Sequence, residues 1–277
     1  MKRKLPLLGY CFAISSSLRS ALMVVIVLCL SSCFVSAETN TQQVDLFVPE
    51  KRALSVSCGS IINESIELSA NLICGDHGLM VNASNISVDM NGYSIIGPGM
   101  PNTKSGIIVP DSYNITISGP GLIRGFQSGI FASGSAKLNI SSLFLEKNQI
   151  GIYLTGTSDS TLEQNMIRNN ELGIAAHSSK DIRLQDSYYY GNSLAGVSLI
   201  NSVDSSILLN YVNGSQNGIF TDPSSSSNDI AYNFLNNIID INSANGLAID
   251  VTNNSYNGNY CELSLPDGIC RGLPDLG

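Results

Sequence analysis

The sequence predicts an all-β solenoid of stacked coils, each about 22 residues long with three short strands, and three observations lead there. First, a glycine before an apolar β-former recurs at Gly106, Gly129, Gly151, Gly173, Gly196 and Gly218, in steps of 23, 22, 22, 23 and 22. A seventh unit follows at Asn237–Ile241, with Asp240 in place of the glycine. Second, three apolar ladders repeat on the same step. They are Ile117, Ile140, Leu162, Leu184, Ile207, Ile230; Ile123, Leu145, Ile167, Tyr189, Val212, Leu235; and Ile107, Ile130, Ile152, Ile174, Val197, Ile219, Ile241. Third, apolar residues within a unit alternate by two, as in Gly151-Ile152-Tyr153-Leu154, and no unit holds an uninterrupted helical pattern of ten residues. A fixed step marks a repeat architecture, and period two marks strands with one buried face. Seven to nine coils stacked at ~4.8 Å would extend roughly 35–45 Å, with each coil burying its ladder residues against its neighbours. A leucine-rich repeat has nearly this period, and Ile140–Ile150 fits its pattern. The next coils put Asn165, Ser187, Asn210 and Asn233 where Leu143 stands, and each ends in another strand phrase, which argues against that fold.

The chain divides in sequence order. Residues 1–37 read as a targeting segment: Lys2, Arg3, Lys4 and Arg19 precede the apolar run Ala21–Leu30, which is too short for a comfortable span of ~20 residues. Val35-Ser36-Ala37 suits signal peptidase, Leu30-Ser31-Ser32-Cys33 resembles a lipobox that would lipidate Cys33, and an uncleaved signal anchor is the third option. All three place the folded part outside the cytoplasm. Residues 38–57 read as a linker, 58–100 as disulfide-clamped N-terminal coils, 101–250 as the solenoid proper and 251–277 as a C-terminal cap or tail. Cys58, Cys74, Cys261 and Cys270 form two local pairs spaced 16 and 9 apart. In an exported chain this predicts disulfides Cys58–Cys74 and Cys261–Cys270 rather than a metal site. Beyond residue 37 stand ten Lys/Arg against 22 Asp/Glu. That balance disfavours nucleic acid and anionic lipid as partners and leaves membrane contact to the N-terminal signal, anchor or lipid.

The phrase Asn165-Met166-Ile167-Arg168-Asn169-Asn170-Glu171-Leu172-Gly173-Ile174 resembles the right-handed parallel β-helix repeat of pectate-lyase-like and NosD-type periplasmic proteins. That domain type is associated with carbohydrate-binding proteins and sugar hydrolases. The stretch from Cys58 through Asn71-Leu72-Ile73-Cys74 to Asp89-Met90-Asn91-Gly92 is similar to the first coils of exported members, with Asn71 where Asp is usual. The resemblance covers residues 58–260. It implies the fold and its right-handed winding. It leaves function open, because this fold hosts lyases, hydrolases, epimerases, adhesins and inert spikes.

Against that fold, Asn148, Asn170, Asn192 and Asn237, with Ser215 between, read as a structural amide ladder at one corner, and the following glycine as the residue that takes the bend. Asp89–Gly92 reads as a turn. Positions alternating with the second ladder form an outward row of Arg124, Glu146, Arg168, Tyr190 and Asn213. Arg124, Glu146 and Arg168 are the candidate catalytic residues of a lyase, and otherwise form an ion-pair row. Asp181, Asp186 and Asp204 are calcium candidates by proximity, but they fall at different turn positions. Phe131, Tyr153, Tyr188 and Tyr190 are candidate sugar-stacking rings. The NosD resemblance implies a role in copper-enzyme assembly, yet two His, scattered Met and paired Cys make a poor copper set, and no metal or cofactor is expected. The reading the residues favour is an exported or surface-anchored, non-catalytic protein that binds glycan or builds the envelope. Alternatives are a polysaccharide lyase or epimerase and a NosD-like accessory factor for metalloenzyme assembly.

Overall fold

The computed structural model describes residues 56–248 and 252–270, all within the compact unit Lys51–Gly277. The expectations for the targeting segment and Cys33 fall outside the described residues. Every strand pairing is parallel. The first face of each coil forms one ten-stranded sheet running from Ser60–Ile62 through Ser128–Ser133, Ile150–Thr155, Leu172–His177 and Ala195–Ile200 to Ser264–Leu265. The second and third faces share a fifteen-stranded sheet. Each strand pairs with its counterpart one coil on, so the chain is an all-β parallel solenoid.

The three ladders fall in register. Ile117, Ile140, Leu162, Leu184, Ile207 and Ile230 are direct partners on the second face. Ile123 through Leu235 line up on the third, and Ile107 through Ile241 on the first. All are buried in one core, Tyr189 included. Two coils depart from three separate strands. Tyr113–Arg124 and Ala136–Glu146 run unbroken over the second and third faces, with only a bulge between Ser141 and Leu143. Later coils place a buried amide or hydroxyl at this corner. Leu143 has none, and its backbone pairing to Gly121 carries through.

The corners are held by polar side chains. At the corner between third and first faces, the backbone N–H of Phe126 donates to Asn148 Oδ1, that of Asn148 to Asn170 Oδ1, and that of Asn170 to Asn192 Oδ1. Each Nδ2 reaches back to the preceding coil, to Ile123, Leu145 and Ile167 carbonyls. The amide side chains thus bond mainly to backbone of the coil before, with a single amide-to-amide bond from Asn170 to Asn192 on the next coil. A second ladder, unassigned by sequence reasoning, runs down the corner between second and third faces: Asn165, Ser187, Asn210, Asn233 and Asn259, each accepting from a backbone N–H one coil earlier. Ser135, Ser179, Ser202 and Ser225 do the same at the remaining corner. These buried bonds satisfy backbone groups that the turning chain would otherwise leave unpaired.

The glycine of each repeat has a different reason from the bend expected. A Cβ on Gly151 would stand 2.5 Å from Gly173 O and 2.6 Å from Ile167 Cγ2, so coil-to-coil approach demands glycine. The left-handed corner conformation falls instead on Lys147, Asn169, Gly191 and Gly214. At Asp89–Gly92 the Asn91 N–H donates to Asp89 Oδ1 and Gly92 has φ +80°, which makes a turn.

Cys58 is joined to Cys74, and Cys261 to Cys270. The second loop carries Ser264–Leu265, the last strand of the ten-stranded sheet, onto Ile241 and Asn242. Ser215, the serine in the first asparagine ladder, has a buried Oγ with no hydrogen-bond partner among the described residues. Urea denaturation therefore should show Asn170→Ala destabilised by about 2–3 kcal/mol, because it orphans the buried Asn148 N–H and removes the bonds of Nδ2 to the Leu145 carbonyl and to Asn192. Ser215→Asn, which restores the amide, should gain about 1 kcal/mol. Replacing Cys58 and Cys74 by Ser should lower stability by about 3 kcal/mol through the loop they close.

Candidate functional site

The outward side of the third face and the corner beyond it gather the residues with chemistry. The strands Tyr113–Arg124, Ala136–Glu146, Met166–Arg168, Tyr188–Tyr190 and Tyr211–Asn213 put Arg124, Glu146, Arg168, Tyr190 and Asn213 in one row, as direct partners coil by coil. Period two forces this: Ile123, Leu145, Ile167, Tyr189 and Val212 turn inward, so the next residue on each coil turns outward.

The row does not pair evenly. Arg168 donates to Glu146 Oε2 from both Nε, at 2.8 Å, and a terminal nitrogen, at 2.7 Å. The Glu146 side chain is only 12 % exposed, against 46 % for Arg168, so the arginine neutralises a nearly buried carboxylate. Arg124, on the other side of Glu146, forms no ion pair among the described residues, and neither does Lys147 at the corner.

An open groove of about 750 Å³ follows that corner across five coils, about 20 Å along the stack. Pro98–Met100 wall one end and Asn169, Glu171 and Ser193 the other, with Arg124 and Lys147 between. Gly97, Gly125 and Gly191 line it too, exposing backbone where a side chain would intrude. Glu171 is tied to the previous coil by Gln149 Nε2 at 3.2 Å. The groove therefore offers two cations with no ion-pair partner among the described residues, backbone and amide groups, and a carboxylate at one end. In a chain of net charge −8 that is a local reversal of sign.

Phe131 and Tyr153 lie on adjacent coils of the first face, ring centroids 5.5 Å apart and tilted by 36°. Tyr188 and Tyr190 both point outward beside the buried Tyr189 and are more than half exposed. Tyr188 starts a column that sequence reasoning missed: its ring stands 5.9 Å from Tyr211, which stacks on Phe234 at 5.2 Å and 7°. The signal was legible, since 188, 211 and 234 follow the 23-residue step. Lys147 left no comparable signal, because its place in the groove depends on how the corner bends.

Asp181 and Asp204 do share a turn position, and Asp159 joins them, each with positive φ at the start of a second-face strand. Only Asp186 sits elsewhere, which corrects the expectation that all three are dispersed. Their oxygens do not converge. Among the described residues, the one cluster of possible metal ligands is Asp240, Cys261 and Cys270. Its sulfurs are joined in a disulfide, and the Asp240 oxygens accept from Asn237 N and Nδ2 and from the Glu262 and Leu263 amides. His77 Nδ1 accepts from Ser105 N, and His177 is exposed on the first face. Neither histidine lines the groove. This donor set does not fit copper, which calls for converging imidazole, thioether or thiolate.

In a double-mutant cycle, Glu146 and Arg168 should couple by about 1 kcal/mol. Arg168→Ala should be the more damaging single change, and Glu146→Gln in the same chain should recover part of the loss, read by urea midpoint.

Among curated proteins none matches the chain. Solved structures do. The periplasmic alginate epimerase AlgG is similar at 15 % identity and TM-score 0.51, over 77 % of this chain and 75 % of that one. An alginate lyase from Paenibacillus is similar at 12 % identity and TM-score 0.51, over 76 % and 88 %. At these identities the likeness is one of fold. The family model described as periplasmic copper-binding protein (NosD) matches residues 60–263, from the first strand nearly to the last, and the chain belongs to the NosD family.

Proposed function

We propose that the chain is an extracytoplasmic glycan-binding protein that holds an acidic polysaccharide along the groove at the corner of the third and first faces. One observation carries this reading: a groove spanning five coils in which Arg124 and Lys147 have no ion-pair partner among the described residues, on an otherwise acidic chain. Cations spaced on successive coils suit a polymer with repeating carboxylates, and exposed backbone and amide groups suit its hydroxyls. Export, with the N-terminal segment as signal, lipid anchor or signal anchor, is part of the proposal. Two disulfides and membership of a family described as periplasmic support it. The domain limits at 37, 57, 100 and 250 belong to the same reading.

The reading is of binding without turnover. A lyase or epimerase needs a free base beside the sugar carbon and a partner for the developing charge. Glu146, the nearest carboxylate in the row, is held by Arg168 through two bonds, and no histidine lines the groove. A role in delivering copper has the least support, given the donor set described above.

Calorimetric titration with oligouronates should show binding that weakens with salt. Arg124→Ala and Lys147→Ala should each reduce affinity about tenfold, with Arg168→Ala having a smaller effect. Release of unsaturated uronides, lost in Arg168→Ala, would replace the binding reading with a lyase.

A further inference from the structure

The aromatic column at Tyr188, Tyr211 and Phe234 is not part of the groove. It lies on the same third face but in the other outward row, and it extends toward the C-terminal coils, away from Arg124 and Lys147. A separate cavity of about 310 Å³ opens beside it, at the corner between second and third faces. That volume is at the lower end of small-molecule pockets, ~300–1,000 Å³.

The surroundings of the cavity are unusual for this molecule. The corner position that holds Gln164 and Asp186 in earlier coils becomes Leu209 and then Tyr232, both with positive φ. A leucine or tyrosine in that conformation is disfavoured, and neither is compensated by burial: Leu209 is 58 % exposed and Tyr232 61 % exposed. Tyr188 is 56 % exposed. Three large apolar side chains thus stand in water around one cavity, floored by stacked rings whose spacing is set by the coil step. Among the described residues, Asp186 is the only charged side chain lining it.

From this we infer a second ligand site, one that takes a neutral pyranose chain by stacking sugar rings on the Tyr188–Tyr211–Phe234 column. The chemistry narrows the choice. Flat rings repeated coil by coil suit a polymer of repeating rings. Tyrosine hydroxyls and the Asp186 carboxylate suit sugar hydroxyls, with Asp186 accepting. Among the described residues no cation lines the cavity, so an acidic sugar gains nothing there and meets Asp186. Nucleobases could stack equally well, but a chain of net charge −8 repels their phosphates. The inference does not depend on the acidic-glycan reading of the groove.

The chain has no Trp and eleven Tyr, so intrinsic tyrosine fluorescence reports on the site directly. The full exported protein is titrated with cellohexaose, xylohexaose and mannohexaose, with an oligouronate and tetramethylammonium as contrasting probes. At least one neutral hexaose should bind saturably, with affinity insensitive to salt. Tyr211→Ala and Phe234→Ala should each weaken it about tenfold. Tyr211→Phe, which keeps the ring, should retain it, and Arg124→Ala should leave it unchanged while reducing oligouronate binding. Saturable binding of none of the neutral hexaoses, equal binding in Tyr211→Ala, or a preference for tetramethylammonium would overturn the assignment. Loss of oligouronate binding alone would overturn the groove and leave this site standing.

Discussion

Everything in this molecule depends on one constraint: each coil must return to the same place, one strand spacing further on. Parallel strands hydrogen-bond only to neighbouring coils, so a slip by one residue would turn every ladder residue outward. The flat stretches take care of themselves through backbone pairing. The corners do not, and there the buried amides and hydroxyls act. Each accepts from the coil before, and the asparagines also donate back to a carbonyl there. Such bonds are few and fully buried, which makes each expensive to lose. They also fix which residues face out, and therefore which side chains meet on the third face.

Regularity has a functional consequence. A repeat that places like positions one coil apart makes rows, and rows recognise polymers. The third face carries two of them side by side. One mixes Arg, Glu, Arg, Tyr and Asn; the other becomes aromatic toward the C-terminal coils. Arg124, at one end of the charged row, reaches into a groove along the adjoining corner, which Gly97, Gly125 and Gly191 also line. The fold supplies the rows, and local departures from the repeat supply the cavities.

Much of this was legible in the sequence. The ladders, the repeat step, the outward row and the pairing of cysteines all follow from spacing, because periodicity in a solenoid is geometry. What spacing does not reveal is how a corner bends. The repeat glycine reads as a bend but answers to the close approach of the next coil. Asp181 and Asp204 read as scattered but share a position, since the intervening turn is one residue longer. Lys147 is a corner residue with no ion-pair partner among the described residues to mark it. Tyr211 and Phe234 were within reach of the 23-residue step and were missed because only Tyr188 stood in a conspicuous cluster. The ion pair is a matter of side-chain reach: Arg124 and Arg168 flank Glu146 symmetrically in sequence, and only one closes on it.

The most direct test is amide hydrogen exchange on the full chain with and without a saturating acidic hexasaccharide. The account predicts that protection rises at the groove corner, in peptides covering residues 97–100, 124–127, 147–149 and 169–171, with the first-face strands and the second-face corner unchanged. Protection confined to another face, or no change at a concentration where calorimetry reports saturation, would contradict it.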